Sequence, residues 1–138
     1  PINNEISPLS LIEYLDTKNK TICLPMVVNK KQPLIFKPWR PGKKMVIGHY
    51  GISVPDNDQT LIPDLIICPL LAYDSKGMRL GYGGGFYDRT IKYFRKNKQV
   101  KYIGLAFSGQ KSYHDLPSEV HDVPLDAVLT ETGMDYFQ

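Results

Sequence analysis

Apolar residues near the start of the chain recur at the spacing of one helical face. Pro8, Leu11, Ile12 and Leu15 fall on that face, and Ser7 precedes them as a candidate N-cap. Serine favours the N-cap and proline the first helical position, and the apolar spacing fits a period of 3.6 residues. The pattern therefore predicts a short amphipathic helix.

Two strands are predicted after this helix, at residues 21–28 and 33–37. Both runs are rich in β-branched and aromatic residues, and the polar segment 29–32 joins them as a turn. Residues 38–63 are dominated by proline, glycine and polar side chains. We therefore expect a long irregular connection there, of the kind that often carries a binding surface.

The second half of the chain has the pattern of a βαβ unit. Residues 64–68 form an apolar run between two prolines, which is typical of a strand covered on both faces. An i, i+4, i+7 repeat from Tyr87 to Phe94 predicts a helix, and 101–107 and 127–130 read as further strands. The order predicts an α/β protein, and we expect three layers, α/β/α, with a mostly parallel central sheet.

Length and composition fit one globular domain. The chain has 138 residues, of which 42% are hydrophobic and 22% charged. With no apolar run near the ~18 residues of a membrane span and no signal-peptide pattern, we expect a cytoplasmic protein with no membrane partner. Seventeen basic and fourteen acidic residues give a net charge of +3, which suits an anionic small molecule as well as a nucleic acid. The two cysteines have no second ligand nearby in sequence, so we expect buried free thiols and no zinc.

Residues 79–89, RLGYGGGFYDR, contain the pattern that points to chemistry. Four glycines in five residues let backbone amides approach a ligand, and the predicted helix adds unpaired N–H donors and a partial positive charge. These are the requirements of a phosphate site. Arg79 and Arg89 can bind phosphate with two hydrogen bonds each, and Asp74 and Asp88 are carboxylates within reach of a phosphate-bound magnesium ion.

Simpler interpretations exist for each of these features. A glycine cluster is often only a surface turn, and Asp74 and Asp88 can cap a turn and a helix. The segment lacks the Lys and Ser or Thr of a Walker loop and the distant acidic residue of a dinucleotide-binding loop, so a generic nucleotide motif is excluded and a family-specific phosphate site has to be considered. The basic residues in 92–101 are explained by a solvated helix face, and RNA binding through them is a distant alternative.

The glycine-rich segment resembles the hallmark of a known family. LGYGGGFYDR at 80–89, preceded by AYD at 72–74, resembles 5-formyltetrahydrofolate cyclo-ligase, also called methenyltetrahydrofolate synthetase. The resemblance extends from NEI at 4–6 to LDAVLT at 125–130. It implies one cyclo-ligase-like domain over residues 1–138, which lacks the helix with ATP-contacting Lys and Arg residues that normally begins the family.

The resemblance also implies an activity. The family carries out ATP- and Mg²⁺-dependent conversion of 5-formyltetrahydrofolate to 5,10-methenyltetrahydrofolate, with release of ADP and phosphate. ATP would then be the co-substrate and Mg²⁺ the cofactor of a monomer that has no nucleic-acid partner. The alternative is a non-catalytic nucleotide- or folate-binding homologue or fragment.

Site residues follow from the resemblance position by position. It implies Arg79 and Tyr87 as catalytic residues and Asp88 and Asp126 as metal ligands. The implied ATP-binding residues are Arg79, Leu80, Gly81, Tyr82, Gly83, Gly84, Gly85, Phe86 and Tyr87. The implied folate-binding residues are Glu5, Tyr50, Tyr82, Gly83, Gly84, Gly85 and Phe86.

Overall fold

The computed structural model describes residues 5–137, which form two compact units. The first unit is Ser7–Pro63, and the second comprises residues 64–137 together with Glu5 and Ile6. The elements of the first unit are α1 (Leu9–Thr17), β1 (Ile22–Met26), β2 (Ile35–Trp39), β3 (Met45–Ile47) and β4 (Ser53–Pro55). Those of the second are β5 (Leu65–Pro69), β6 (Ala72–Tyr73), β7 (Arg79–Leu80), α2 (Phe86–Phe94), β8 (Lys101–Leu105), β9 (Ala127–Thr130) and β10 (Gly133–Tyr136).

The first helix lies where the apolar spacing predicts it. It begins one residue later than expected, because Pro8 occupies the N-cap position. The Ser7 hydroxyl accepts a weak hydrogen bond from the Leu9 N–H at 3.4 Å. An ion pair of 3.0 Å between Arg40 and Asp16 joins the segment after β2 to this helix.

The two predicted strands of the first unit are confirmed, with shorter bounds. β1 and β2 pair antiparallel, with Ile22 opposite Trp39 and Met26 opposite Ile35. The expected irregular connection is wrong in part, because β3 and β4 form an antiparallel hairpin within it. Strands of three residues are too short to show alternation in the sequence, although buried Val54 gives this hairpin a place in the core.

The second unit contains a four-stranded sheet in the order β10-β9-β8-β5. β5 pairs parallel with β8 and β8 with β9, so the predicted βαβ unit and mostly parallel sheet are confirmed. The unpredicted β10 is added antiparallel to β9. The expectation that β5 is buried on both faces is wrong at Leu65, which is 43% exposed, whereas Ile66 and Cys68 are buried. Burial that alternates along a strand indicates one well-covered face.

Of the predicted face of α2, Ile91 and Phe94 are buried, together with Thr90, whereas Tyr87 is half-buried. Between β5 and α2 the chain forms a further hairpin, in which β6 and β7 pair antiparallel. This hairpin ends at Leu80, directly before the glycine-rich segment. The glycines therefore begin at a paired strand and end at a helix.

Two further expectations concern the cysteines and the membrane. Both cysteines are free thiols, but only Cys68 is buried, whereas Cys23 is half-buried. Within residues 5–137, no helix has the length and apolar character that crossing a membrane requires.

Asp74 closes the turn between β6 and β7. This side chain is buried, and its Oδ1 accepts hydrogen bonds from the N–H groups of Lys76 at 2.9 Å and Met78 at 3.0 Å. Its Oδ2 accepts from the N–H of Leu116 at 2.9 Å, 42 residues further along the chain. Of its two interpretations, these contacts support the turn cap, because both oxygens already bind backbone donors.

Replacing Asp74 with alanine is expected to lower the free energy of unfolding by about 3 kcal/mol, because three backbone N–H groups lose a charged acceptor. Urea denaturation would measure the change. Asp74→Asn keeps one carbonyl oxygen and should lose less. Asp122→Ala is the control, since this half-buried aspartate accepts one backbone hydrogen bond, from the Glu119 N–H; an equal loss in both alanine variants would contradict the role given to Asp74.

Candidate functional site

The glycine-rich segment leads directly into the N-terminus of α2. Gly85 precedes the helix with φ of +67°, a left-handed conformation that favours glycine, and no side chain caps the helix. The first-turn N–H groups thus remain able to donate hydrogen bonds to a ligand, and the helix end keeps its partial positive charge. Tyr82, within the segment, is half exposed. The local backbone therefore has the properties of an anion site, as the sequence predicted.

Three side chains of the same unit hold Arg79 next to the glycine loop. Its Nε donates a 2.6 Å hydrogen bond to the Tyr102 hydroxyl, and its Nη2 lies 3.3 Å from Asp88 Oδ2. The guanidinium carbon lies 5.9 Å from the ring centre of Tyr87 and 5.8 Å from that of Tyr102. The Arg79 side chain is only 8% exposed. Its position is thus fixed by charge, hydrogen bonding and aromatic contact together.

The third nitrogen of Arg79 lies against the first glycine of the loop. A Cβ atom built on Gly81 would sit 2.4 Å from Arg79 Nη1, closer than real atoms approach. Because Nε and Nη2 are already engaged, the guanidinium could not move aside without losing those contacts. Glycine at position 81 is therefore required by the close approach of Arg79.

A second arginine contacts the other end of the loop. Arg89 Nη2 donates to the carbonyl oxygen of Gly84 at 3.2 Å, and its guanidinium lies 5.5 Å from the ring centre of Phe86. The Nη1 of Arg89 is buried without a hydrogen-bond partner among residues 5–137. The loop is thus bracketed by Arg79 at its start and Arg89 at its end.

Glu5 lies beside the loop although it is more than seventy residues away in sequence. Its carboxylate hydrogen-bonds the Tyr82 hydroxyl, and burial together with Glu5 raises the pKa of Tyr82. Burial is also the main cause that raises the pKa of Tyr87, with Cys68 and Glu5 adding to it. Both phenols therefore stay protonated near neutral pH.

The two aspartates predicted as metal ligands lie at opposite ends of α2. Asp88 is in the first turn, where its Oδ1 accepts from the Val123 N–H at 3.1 Å and its Oδ2 contacts Arg79. Asp126 pairs through Oδ2 with Arg95, directly after the last residue of α2, at 2.8 Å. Within residues 5–137 no three acidic, histidine or cysteine side chains cluster as a metal site would require.

The structure thus brings together part of the predicted set. Residues 79–88 and Glu5 meet around the loop, whereas Tyr50 belongs to the first unit, where it is exposed with φ of +63° in a single 3₁₀ turn. Sequence reasoning assigned no role to Tyr102, which binds Arg79. Its place in a strand pattern, with apolar neighbours, marks it only as a core residue.

The chain is similar to known proteins of one family. A model of the 5-formyltetrahydrofolate cyclo-ligase family matches residues 1–131. The chain belongs to that family. It is 40% identical to the 5-formyltetrahydrofolate cyclo-ligase of Haemophilus influenzae over 133 residues, which are 92% of this chain and 70% of that protein. It is 35% identical to the Escherichia coli K12 cyclo-ligase over 134 residues, 93% of this chain and 72% of that protein.

Solved structures of cyclo-ligases are also similar to this chain. The 5,10-methenyltetrahydrofolate synthetase of Aquifex aeolicus superposes with a TM-score of 0.77 at 29% identity, covering 100% of this chain and 69% of that one. The synthetase of Mycoplasma pneumoniae gives a TM-score of 0.68 at 26% identity, with 93% and 67% covered. The predicted family membership and mixed α/β fold are therefore confirmed.

The buried thiol of Cys68 makes the free energy of unfolding depend on pH. Burial, partly opposed by the charge of Arg79, raises the pKa of Cys68 to about 11. In an unfolded chain a thiol has a pKa of ~8.5, so above that pH the unfolded state loses a proton that the folded state keeps. The free energy of unfolding is therefore expected to fall as the pH rises from ~8.5 towards 11.

Cys68→Ala should make this fall shallower, as measured by urea denaturation at a series of pH values. Cys23→Ala is the matched control, because Cys23 is only half-buried. The slopes are compared between pH ~8.5 and ~9.5, below the pKa of ~10 of an unfolded tyrosine, because Cys68 also raises the pKa of Tyr87 and Tyr102. If Cys68→Ala and the unsubstituted chain have the same pH slope, Cys68 does not carry the shift.

Proposed function

We propose that this chain converts 5-formyltetrahydrofolate to 5,10-methenyltetrahydrofolate at the expense of ATP, with release of ADP and phosphate. One observation carries the proposal: in a member of this family, an uncapped helix N-terminus and a glycine loop surround Arg79, whose position is fixed by Tyr102 and Asp88. This arrangement provides preorganised positive charge next to backbone donors, which is what phosphoryl transfer requires.

The reaction explains why ATP is needed. The formyl oxygen is amide-like and is a poor leaving group. Transfer of the terminal phosphoryl group to that oxygen forms an O–P bond and releases ADP. The neighbouring amine nitrogen of the folate then attacks the formyl carbon and gives up its proton, the C–O bond breaks, and phosphate leaves with the oxygen and that proton. The protein has to align two substrates and stabilise developing phosphate charge.

The loop supplies the contacts to ATP. The proposed ATP-binding residues are those from Arg79 to Tyr87, with the amides of the glycines and of the first turn of α2 directed at the phosphates. Arg79 is proposed as a catalytic residue that stabilises charge on the transferred group. Tyr87 is proposed as its catalytic partner, and because burial raises its pKa, it acts as a hydrogen-bond donor and not as a base.

The folate is proposed to bind on the Glu5 side of the loop. Glu5 hydrogen-bonds Tyr82, so a carboxylate is available next to the glycines, near the place where the formyl group must meet ATP. Tyr82, Phe86 and the three consecutive glycines 83–85 complete this part of the proposed site. Tyr50, from the first unit, is proposed to lie beside the folate on the strength of the family resemblance.

Magnesium is proposed as the cofactor. The donor chemistry of Asp88 fits, because it is a carboxylate in the first turn of α2 and Mg²⁺ is commonly held by one or two carboxylates, waters and substrate phosphates. When bound, the ion neutralises charge on the phosphates. Asp126 is the second proposed ligand, although its Oδ2 already binds Arg95 and the Tyr102 N–H. The oxygens of Asp88 are likewise engaged, by the Val123 N–H and by Arg79, so its place in the first turn of α2, beside the proposed phosphate site, is what favours it over Asp126.

Several wider expectations remain part of the proposal. The βαβ unit supports a three-layer α/β/α arrangement, and the family match across both units supports one cyclo-ligase-like domain. A cytoplasmic monomer without a nucleic-acid partner is the form we propose, because the substrates are small anions and two basic residues after α2, Arg95 and Lys98, form ion pairs with Asp126 and Asp64.

The proposed function is tested by incubating the full-length protein with 5-formyltetrahydrofolate, ATP and Mg²⁺. The expected result is the near-ultraviolet absorbance of the methenyl product, with ADP and phosphate formed in equal amounts. Omitting ATP, or removing Mg²⁺ with a chelator, should abolish product formation. A folded protein that binds ATP or folate without turnover would instead indicate the non-catalytic binding homologue.

Gly81→Ala is expected to lower kcat/KM by about 100-fold, because the added methyl group displaces Arg79 and a shift of ~1 Å at a reacting group has an effect of this size. The free energy of unfolding should also fall, because the displaced guanidinium loses contacts with Tyr102, Asp88 and Tyr87 while it stays buried. Steady-state kinetics and urea denaturation measure both effects. Gly109→Ala is the control, since a Cβ there meets no atom within 4 Å; equal activity in the two variants would contradict the role of this close approach.

A further inference from the structure

Tyr102 is a buried side chain of β8 that lies between the core and the proposed site. It is 0% exposed, as is Cys68, and the two side chains are hydrogen-bonded to each other. On its other side the Tyr102 hydroxyl accepts the 2.6 Å hydrogen bond from Arg79 Nε. The phenol thus connects the centre of the sheet to the arginine below the glycine loop.

The chemistry of a phenol suits this place. A hydroxyl group has one proton to donate and lone pairs to accept, so it can bind Arg79 Nε and the Cys68 sulfur at once. Burial raises the pKa of Tyr102, so the group stays neutral and compensates no charge. Charge compensation of Arg79 comes from Asp88. The two partners therefore have different tasks: Asp88 neutralises the guanidinium, and Tyr102 orients it.

The orientation matters because only one guanidinium nitrogen is left for the loop. Tyr102 uses Nε, Asp88 uses Nη2, and Nη1 lies against Gly81. A guanidinium is planar, so fixing two of its nitrogens fixes the direction of the third. The Tyr102 ring adds a second restraint, since the guanidinium carbon lies 5.8 Å from its centre.

We propose that Tyr102 is a positioning residue, which acts on the reaction only through Arg79 by directing Nη1 at the phosphate-binding loop. This inference rests on the proposed function. A different explanation is available, because a buried tyrosine needs a hydrogen-bond partner for its own stability. The two explanations differ in one respect. If the contact only stabilises the fold, the effect on kcat of replacing Tyr102 does not depend on whether Arg79 is present.

A double-mutant cycle in the full-length protein tests this dependence. Tyr102→Phe removes one oxygen and is expected to lower kcat by about 10-fold, with a smaller change in KM for ATP, because Arg79 acts on charge that develops during transfer. In an Arg79→Lys background the same substitution should lower kcat by less than about 2-fold. An equal fractional loss in both backgrounds would overturn the proposal.

Tyr73→Phe is the matched control. Tyr73 is 1% exposed in the same unit and pairs with Arg79 only through the backbone register of β6 and β7. Its ring lies 6.4 Å from that of Phe137, and the charges that act on its hydroxyl are those of Asp135, Lys111 and Glu131. Removing its hydroxyl should leave kcat and KM unchanged. A loss of kcat as large as that of Tyr102→Phe would show a general effect of buried phenols and would overturn the proposal.

A measurement on the unsubstituted protein keeps the inference testable if Tyr102→Phe does not fold. Nuclear magnetic resonance can follow hydrogen exchange of the Arg79 Nε–H, which should be slow when it is bound to the Tyr102 oxygen. Exchange as fast as in a free guanidinium would overturn the proposal. This result is independent of turnover, so an inactive protein with a protected Nε–H contradicts the proposed function, whereas an active protein with an unprotected one contradicts only the role of Tyr102.

Discussion

The burial of one positive charge constrains much of the second unit. Moving a guanidinium out of water is unfavourable by several kcal/mol unless it is paired and hydrogen-bonded. The Arg79 side chain is 8% exposed, so it needs both kinds of partner. It takes a carboxylate from the first turn of α2 and a hydroxyl from β8, while it comes itself from β7. Three elements are thereby fixed to one another around a single group, and the glycine loop between β7 and α2 has both of its ends determined.

The sequence predicted the elements that have a clear pattern and missed those that do not. The helix faces, the parallel pair β5 and β8 and the strand β9 follow from apolar spacing. The hairpin β6–β7 was not predicted, because strands of two residues have no period, and its anchor Asp74 has a partner at Leu116 that no local pattern indicates. Burial along β5 was overestimated, because an apolar run does not tell which of its side chains are covered.

The residues of the site also divide into those that a local sequence pattern predicts and those that it does not. The glycine run and its place before a helix are local, so the phosphate-binding character of the loop could be predicted from the residues. Glu5 beside Tyr82 depends on the tertiary fold, and only the family resemblance pointed to it. The role of Tyr102 was invisible for a different reason: a tyrosine in a strand looks like any core residue until its hydroxyl is seen on Arg79. Asp126 was predicted by resemblance alone, and its contact with Arg95 places it at the far end of α2 from Asp88.

The cysteines have a practical consequence. The chain has two, and each compact unit contains one: Cys23 in the first and Cys68 in the second. A buried thiol reacts with a labelling reagent only when its surroundings open, so the rate of labelling at Cys68 reports the local opening of the second unit, whereas the half-buried Cys23 can react without such an opening. The native sequence therefore contains a conformational probe and an internal reference for it, and the opening of the second unit can be timed without introducing a foreign residue.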